Sequence, residues 1–374
     1  MKLLCMIPKL SYTGAPKIMA WIANKMREFG YEVMVVTMYK SNCEQVLNEE
    51  IKYLNINYNQ SNNWLYRNTI GMVKIISKYR KIVKEYKPDV ILSFLDSISY
   101  FYIYLNKLLW HDKIVGSERV DPYSRHGIRA KICFDIMEKC DYLIFQTEEA
   151  KHFFGDKYNN KSIVIPNPVV LNHSMKKAIK YIDSLKVSKT PKIPIISTVG
   201  RLSIEQKRQD VLIKTAIELK KRKLDFKIMI YGDGKDKKII NQSIIENKLQ
   251  NNMYLMGQQD NILEKISEST CFVLTSDYEG IPNALIEAMS IGLPCISTDC
   301  SPGGAKILIK NGNNGFLVEK GNYREIAQKI EWIIKNNDKA IEMGKRARKI
   351  SEKFSENVIA KKWDEAFKSV NSRI

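Results

Sequence analysis

The sequence predicts an α/β protein built from two doubly wound, parallel-sheet domains. Three observations carry this expectation. A chain of 374 residues exceeds what one ordinary hydrophobic core fills and suits two. An apolar strand, a small-residue loop, a helix and a second strand follow one another from the first residues, the usual opening of a parallel sheet. The same succession starts again at Ile193, past a polar, Lys-rich stretch over 171–192 that reads as a linker. The domains expected are 1–185 and 186–354, with residues 355–374 returning to the first.

In chain order, Lys2 to Ile7 reads as a buried strand. Ser11-Tyr12-Thr13-Gly14-Ala15 is then a loop into a helix over Pro16 to Phe29, stopped by Gly30, and Glu32 to Thr37 is the second strand. A Gly at such a turn lets backbone approach a ligand, which singles out Gly14, although a plain turn fits as well. Leu65 to Lys87 reads as a helix whose apolar positions Ile70, Val73, Ile76, Tyr79 and Val83 recur at helical spacing. Its other faces carry Lys74, Lys78, Arg80, Lys81, Lys84 and Lys87. The choice is between a core helix with a solvated basic face and one that lies on anionic lipid. Asp89 to Phe94 is the next strand. Ile114 to Pro122 is a strand followed by a polar loop with Glu118 and Arg119, at the strand end where open sheets place ligands. Arg125, His126, Arg129 and Lys131 form a basic cluster suited to a pyrophosphate or lipid headgroup, or to plain surface. Asp141 to Gln146 is a further strand, and Ile163 to Pro168 closes the domain.

The second half opens with a strand over Ile193 to Val199 and the turn Gly200-Arg201-Leu202, with Lys207 six residues after Arg201. Two cations around a strand-to-helix turn oppose negative charge that grows on a leaving group; as isolated loop residues they would be ordinary surface. Phe226 to Tyr231 is a strand that ends in Gly232-Asp233-Gly234, and Tyr254 to Gly257 and Cys271 to Thr275 are two more. From Thr275 to Pro294 a strand end leads through a tight turn at Glu279-Gly280 into a helix with Pro282 at its first position, where a missing N–H costs nothing. Asn283, Ala284 and Leu285 would then present backbone N–H groups at the positive helix end, a ready anion site. Seven residues separate Glu279 from Glu287. At the helical rise their carboxylates fall on the order of 10 Å apart, too far to share a proton but a span that fits the two ends of a long ligand. A capping Glu and a solvated Glu are the bland alternatives. Pro302-Gly303-Gly304-Ala305 is a turn, and from Asn322 the chain reads as helical, ending in a helix over Ser355 to Val370.

Composition narrows the classes. A hydrophobic fraction of 44% and a charged fraction of 27% are those of a globular protein. The net charge of +19 calls for an anionic partner: nucleic acid, a membrane surface or phosphorylated ligands. A nucleic-acid binder needs stacking aromatics in clusters or a reading motif, and the sequence has neither. Seven cysteines without a C-x-x-C pair, with Cys133/Cys140 and Cys295/Cys300 off zinc-ligand spacing, read as reduced core thiols of a cytoplasmic protein. The opening MKLLCMIPKL is too short in its apolar run for a signal peptide, and no stretch approaches the ~20 apolar residues of a membrane span. The expected location is cytoplasmic, with peripheral contact at the inner face of the plasma membrane as the membrane option.

Three motifs then add a resemblance. E-G-I-P-N-A-L-I-E-A over 279–288 with Gly292-Leu293-Pro294, G-R-L with Lys207, and the Gly232-Asp233-Gly234 turn are similar to the retaining glycosyltransferases of family 4, with their GT-B fold and E-x7-E signature. The similarity covers nearly the whole chain. It implies two Rossmann-like domains facing across a cleft, the donor held by the second and the acceptor by the first, with the last helix crossing back. Arg201, Lys207 and the amides of Asn283, Ala284 and Leu285 would stabilise a departing diphosphate. Glu287 would bind ribose hydroxyls, and Glu279 the transferred sugar. Gly280, Gly232 and Gly14 would shape the donor pocket; the family often has paired glycines at the Gly14 loop, where this chain has Thr13 and Gly14. Many members place a His or Asp beneath the sugar where this chain has Ser117-Glu118-Arg119, so Glu118, Arg119 and Arg125 are acceptor-side candidates. Lys306 stands where an acidic residue is common. The resemblance implies a UDP-sugar of the GlcNAc, GalNAc or Gal type as donor. The acceptor would be a saccharide, lipid-pyrophosphate-linked as in capsule or O-antigen assembly, or else soluble. No cofactor and no metal are expected, since basic residues neutralise the phosphates and no D-x-D is present. A nucleotide-sugar epimerase of the same architecture is the other enzyme this fold accommodates.

Overall fold

The computed structural model describes residues 1–11, 14–40, 46–57, 70–94, 97–125, 127–184 and 193–372. The chain divides into two compact units, residues 1–167 with 357–374, and residues 168–356. In the first, strands β1 (Lys2–Ile7), β2 (Glu32–Thr37), β3 (Lys52–Asn55), β4 (Val90–Phe94), β5 (Ile114–Ser117), β6 (Tyr142–Phe145) and β7 (Ser162–Val164) form a sheet of order β3-β2-β1-β4-β5-β6-β7. In the second, β8 (Ile195–Val199), β9 (Lys227–Tyr231), β10 (Met253–Gly257), β11 (Cys271–Leu274), β12 (Cys295–Thr298) and β13 (Phe316–Val318) are ordered β10-β9-β8-β11-β12-β13. Neighbouring strands pair in parallel, for example Leu3 with Val33 and Val90, and Phe272 with Ser197 and Cys295.

The central strands read as unbroken apolar runs because helices cover both sheet faces. β4 and β11 are buried along their whole length, whereas the edge strand β3 exposes Lys52, Tyr53 and Leu54. The final helix, Glu356–Ser372, belongs to the first unit. Its Phe367 ring meets Tyr31 at 6.3 Å, and the Tyr31 hydroxyl donates to Asp364 Oδ1 at 2.6 Å. The six cysteines among the described residues are buried and unpaired.

Two expectations change. The Lys-rich stretch read as a linker contains a helix, His173–Ser184, that packs in the second unit against helices Ile262–Ile266 and Asn283–Ile291. Its apolar signal is short, with Met175 and Ala178 one turn apart as its buried residues, and surrounding lysines mask it. The compact units thus divide at 167/168 and 356/357, where the sequence places the boundaries at 185/186 and 354/355. The basic helix is described from Ile70 and ends at Tyr86, because Lys87 turns left-handed at φ 51°. Ile75, Ile76, Tyr79, Val83 and Tyr86 are buried, and Val73, expected among them, is 66% exposed because Ile75 takes the inward position. Residues 65–69 of that expectation, and Tyr12, Thr13 and His126, lie outside the described residues.

Helix Asn283–Ile291 is locked at its far end. Gly292 caps it in the left-handed region at φ 93°, and Arg348 Nη2 donates to the Ile291 carbonyl at 3.2 Å. Helix Asn337–Arg348 crosses there at Gly344, where an added Cβ would stand 2.0 Å from the Gly292 oxygen. Gly344→Ala separates two opposed effects. Helix propensity alone would stabilise by about 1 kcal/mol, while the clash with backbone costs about 1–3 kcal/mol. Urea unfolding is expected to show net destabilisation; a stabilised variant would mean that the two helices part easily.

Candidate active site

In an open parallel sheet the ligand crevice lies beyond the carboxyl ends of the strands where the strand order reverses. In the second unit that reversal falls between β8 and β11, and the loops after these two strands carry the motif residues. The loop after β8 holds Gly200 to Ser203 and runs into the short helix Ile204–Lys207; the loop after β11 holds Thr275 to Pro282. Two bonds tie them together: Asp277 N donates to Gln206 O at 2.9 Å, and the Thr275 side chain donates through Oγ1 to Lys207 O at 2.7 Å. A crevice at this end of the sheet is lined by Thr198, Gly200, Lys207, Gln209, Leu274 and Thr275.

Glycines let the backbones approach. At Gly232, with φ 131°, a Cβ would stand 2.0 Å from the Gly200 oxygen, and at Gly304 one would stand 1.9 Å from the Gly280 oxygen. Gly232 and Gly304 are therefore needed for contact between loops, and Gly280 is the residue whose carbonyl Gly304 meets.

The structure joins Lys207 and Glu279 in an ion pair, with side chains 17% and 10% exposed. Glu279 Oε1 accepts from both Lys207 Nζ and Ser276 Oγ, the latter at 2.7 Å. The backbone holds the carboxylate from behind, since Glu279 N donates to Ser301 O at 2.7 Å. Lys207 keeps two further ammonium hydrogens, and Glu279 keeps Oε2. Arg201 is exposed in the same loop, and its carbonyl accepts from Gln209 Nε2 at 2.9 Å. Next to Lys207, Arg208 is held by both Asp210 oxygens at 2.9 and 3.0 Å and by Asp277 at 2.6 Å. Burial would raise the Asp210 carboxyl, but the Arg208 hydrogen bonds and charge bring it below the ordinary range. Ser276, Gln209 and Arg208 were not singled out from the sequence; Ser276 sits three residues before Glu279, the S-x-x-E spacing that signals a local Ser–Glu partnership.

Helix Asn283–Ile291 begins one residue later than expected, with Pro282 as its N-cap in extended conformation. The Leu285 N–H donates to the Pro282 carbonyl at 3.0 Å, so it is not open to a ligand as the sequence reading held. Leu285, Ile286, Ala288, Met289, Ser290 and Ile291 are buried, and the partly exposed positions are Asn283, Ala284 and Glu287. A spacing of i, i+1 and i+4 puts these three on one face. An otherwise buried helix thus opens only where its N-terminus and Glu287 lie.

The acceptor-side candidates lie in the first unit and take a different form. Glu118 is buried; its Oε1 accepts from the Arg119 and Val120 backbone N–H at 3.0 and 2.9 Å, and its carboxylate pairs with Arg125 at 3.0 Å. Burial pushes its carboxyl above the ordinary range, against the pull of Arg125 and the two amides. Arg125 also donates to the Tyr100 hydroxyl at 2.6 Å and to Cys133 Sγ at 2.7 Å. Arg119 lies over the rings of Phe94 and Trp363 at 4.5 and 5.2 Å and donates to Asn167 Oδ1 at 3.1 Å. Its burial lowers the guanidinium to about 9. Gly14 is exposed at the start of helix Gly14–Glu28. Among the described residues no cluster of His, Cys, Asp or Glu suits a metal ion, and no helix is long and apolar enough to cross a membrane.

Each unit is a parallel-sheet Rossmann-like domain, and the fold is the GT-B architecture of glycosyltransferases. Residues 182–350, most of the second unit, match the model of glycosyl transferases group 1. An uncharacterized glycosyltransferase of Methanocaldococcus jannaschii is 29% identical over 308 residues, 77% of this chain and 74% of that protein. A Campylobacter jejuni N-acetyl-D-galactosaminyltransferase, whose name gives a GalNAc-bearing diNAcBac-PP-undecaprenol as acceptor, is 23% identical over 97% of both chains. Anabaena HepE, solved with UDP and glucose, shares the fold with a TM-score of 0.77 at 18% identity, over 99% of this chain and 100% of that one.

The Glu118–Arg125 pair yields a test of its own. Removing one partner of a buried pair leaves an uncompensated charge, a cost of about 3–5 kcal/mol. Arg125→Ala is therefore expected to lose stability on that scale in urea unfolding. An unchanged unfolding midpoint would return Arg125 to the surface and reopen its role as an acceptor contact.

Proposed function

We propose that the chain is a retaining, metal-independent glycosyltransferase that moves a sugar from a nucleotide-diphosphate donor to a saccharide acceptor in envelope polysaccharide or glycan synthesis. The observation that carries this reading is the single open face of helix Asn283–Ile291, with the Lys207–Glu279 pair on the loops beside the same strand ends. The donor is a UDP-sugar of the GlcNAc, GalNAc or Gal type, in keeping with the UDP in the HepE structure. The acceptor is lipid-pyrophosphate-linked, in keeping with the C. jejuni relative's printed acceptor, and the enzyme meets it at an anionic membrane face.

In this mechanism the bond between the anomeric carbon and the β-phosphate oxygen breaks, and its electron pair stays with the diphosphate. Lys207 meets the growing charge with the ammonium hydrogens that Glu279 leaves unused, Arg201 adds a second cation, and the Asn283 and Ala284 amides add the positive helix end. Glu279, paired with Lys207, binds a sugar hydroxyl through Oε2 and steadies the oxocarbenium-like centre. Glu287 accepts hydrogen bonds from the ribose hydroxyls. The acceptor oxygen bonds to the anomeric carbon on the face the diphosphate leaves, and the departing diphosphate oxygen takes its proton.

Calorimetric titration of UDP, GDP and ADP into wild type and Glu287→Ala tests the donor site. Selective binding of UDP, weakened at least about tenfold by loss of a charge-assisted contact, is expected; binding indifferent to Glu287 would make the helix face structural. Lys207→Ala should lower kcat about 10²–10³-fold, the scale of removing one transition-state donor. Turnover close to wild type would remove Lys207 from the leaving-group role. Activity abolished by EDTA and restored by manganese would overturn metal independence, and donor consumption without acceptor would favour an epimerase.

A further inference from the structure

We infer that a turn in the first unit, centred on Leu108 and Leu109, is the surface through which the protein docks on anionic lipid. Helix Ser97–Leu105 does not end in a normal cap. It widens into a π-turn over Asn106–Trp110, closed by a His111 N–H to Asn106 carbonyl bond at 2.8 Å. Asn106 is buried and pins the turn from within: its Nδ2 donates to Asp112 O at 2.7 Å, and its Oδ1 accepts from Asp112 N at 3.1 Å. The outer side of this braced turn is apolar. Phe101, Tyr104, Leu108 and Leu109 are 53%, 47%, 57% and 62% exposed. Positions 101, 104 and 108 fall at i, i+3 and i+7, one helix face. Four large apolar side chains exposed within nine residues form a patch of the kind that marks an interaction surface. Short π-turns also recur at functional sites.

Charge identifies the occupant. The segment 97–111 has no carboxylate; it carries Lys107, and Lys139 of the packed helix Ile128–Lys139 stands 4.9 Å from the Tyr104 ring. The acids nearby have cationic company: Asp112 pairs with Arg80 at 2.6 Å, and Glu138 pairs with Lys157. Asp135, exposed on the same helix as Lys139, is outnumbered there by Lys131 and Lys139. A second copy of a chain with net charge +19 would be repelled, whereas an anionic bilayer attracts the lysines and takes up the apolar tip. This surface adjoins helix Ile70–Tyr86, whose Arg80 stacks on Trp110 at 4.7 Å, but its apolar tip lies outside the lysines of that helix, which the sequence offers for the same partner. The inference rests on the proposed acceptor for its biological sense, but vesicle binding needs neither donor nor acceptor.

The experiment is co-sedimentation of the full chain with vesicles of phosphatidylglycerol mixed into phosphatidylcholine, and of phosphatidylcholine alone. Wild type should pellet with the anionic vesicles. Leu108→Ser/Leu109→Ser should lower the partition coefficient at least about tenfold, and Lys107→Glu should weaken it further on anionic vesicles only. Ile239→Ser/Ile245→Ser, which removes exposed apolar residues from the second unit, should leave it unchanged. Three results overturn the proposal: no vesicle binding by wild type, binding unaffected at Leu108 and Leu109 but lost in Lys81→Glu/Lys84→Glu, or a dimer in sedimentation velocity that the Leu108/Leu109 variant dissolves. UDP titration of the same samples keeps the two readings separate, because donor binding that persists without vesicle binding sinks this surface alone.

Discussion

The constraint on which the second unit depends is the reversal of strand order between β8 and β11. Because all pairing is parallel, both strands deliver their loops to the same end of the sheet, and because the order reverses there, the helices that follow leave on opposite faces and open a crevice. Lys207 and Glu279 meet although 72 residues separate them in the chain. The glycines serve that meeting. Gly232 lies against the Gly200 carbonyl and Gly304 against that of Gly280, so each loop is braced by a backbone approach that any side chain would prevent.

Two ion pairs in this protein illustrate how partial burial divides structural from functional chemistry. Glu118 is fully engaged: Arg125, two backbone amides and the neighbouring Cys133 surround it, and Arg125 spends its own donors on Tyr100 and Cys133. Desolvation makes such a pair a weak source of net stability, though removing either member leaves a buried charge behind. Lys207–Glu279 pays the same desolvation in part but stays incomplete, with ammonium hydrogens and one carboxylate oxygen left over at the accessible end of the sheet. Unused valences at a partly open position, more than the pair itself, distinguish a place where a ligand's polar groups can be met.

The sequence made the second unit legible because its signals are local. The G-R-L turn, the E-G-I-P-N stretch and the Gly292 stop each declare themselves within ten residues, and their elements lie where periodicity and capping put them. What it hid was of two kinds. Pairings over long separations, such as Lys207 with Glu279 or Arg119 with Trp363, depend on topology and have no local signature. Short apolar stripes among lysines were also lost: the helix at His173 buries Met175 and Ala178, too few to outweigh its polar face, and Val73 gave a helical match on the wrong side. The π-turn at Asn106 is opaque for a third reason, since nothing in N-K-L-L-W distinguishes five residues per bonded turn from four.

Charge at the switch point gives the proposed chemistry its shape. Arg201 and Lys207 contribute two positive charges, Glu279 and Glu287 two negative ones, and the helix end at Asn283 about half a positive charge. The site is therefore close to neutral in sum, in a chain whose total is +19. Near neutrality, what matters is where each charge stands. Glu279 anchors Lys207, and in the proposed mechanism the ammonium hydrogens it does not use meet charge that appears only as the glycosidic bond breaks. Glu287 sits a turn further along the helix, suited to neutral hydroxyls and not to phosphate. On the proposed mechanism, separating the two carboxylates along one loop and helix lets the same short segment favour the leaving group at one point and read the rest of the donor at another.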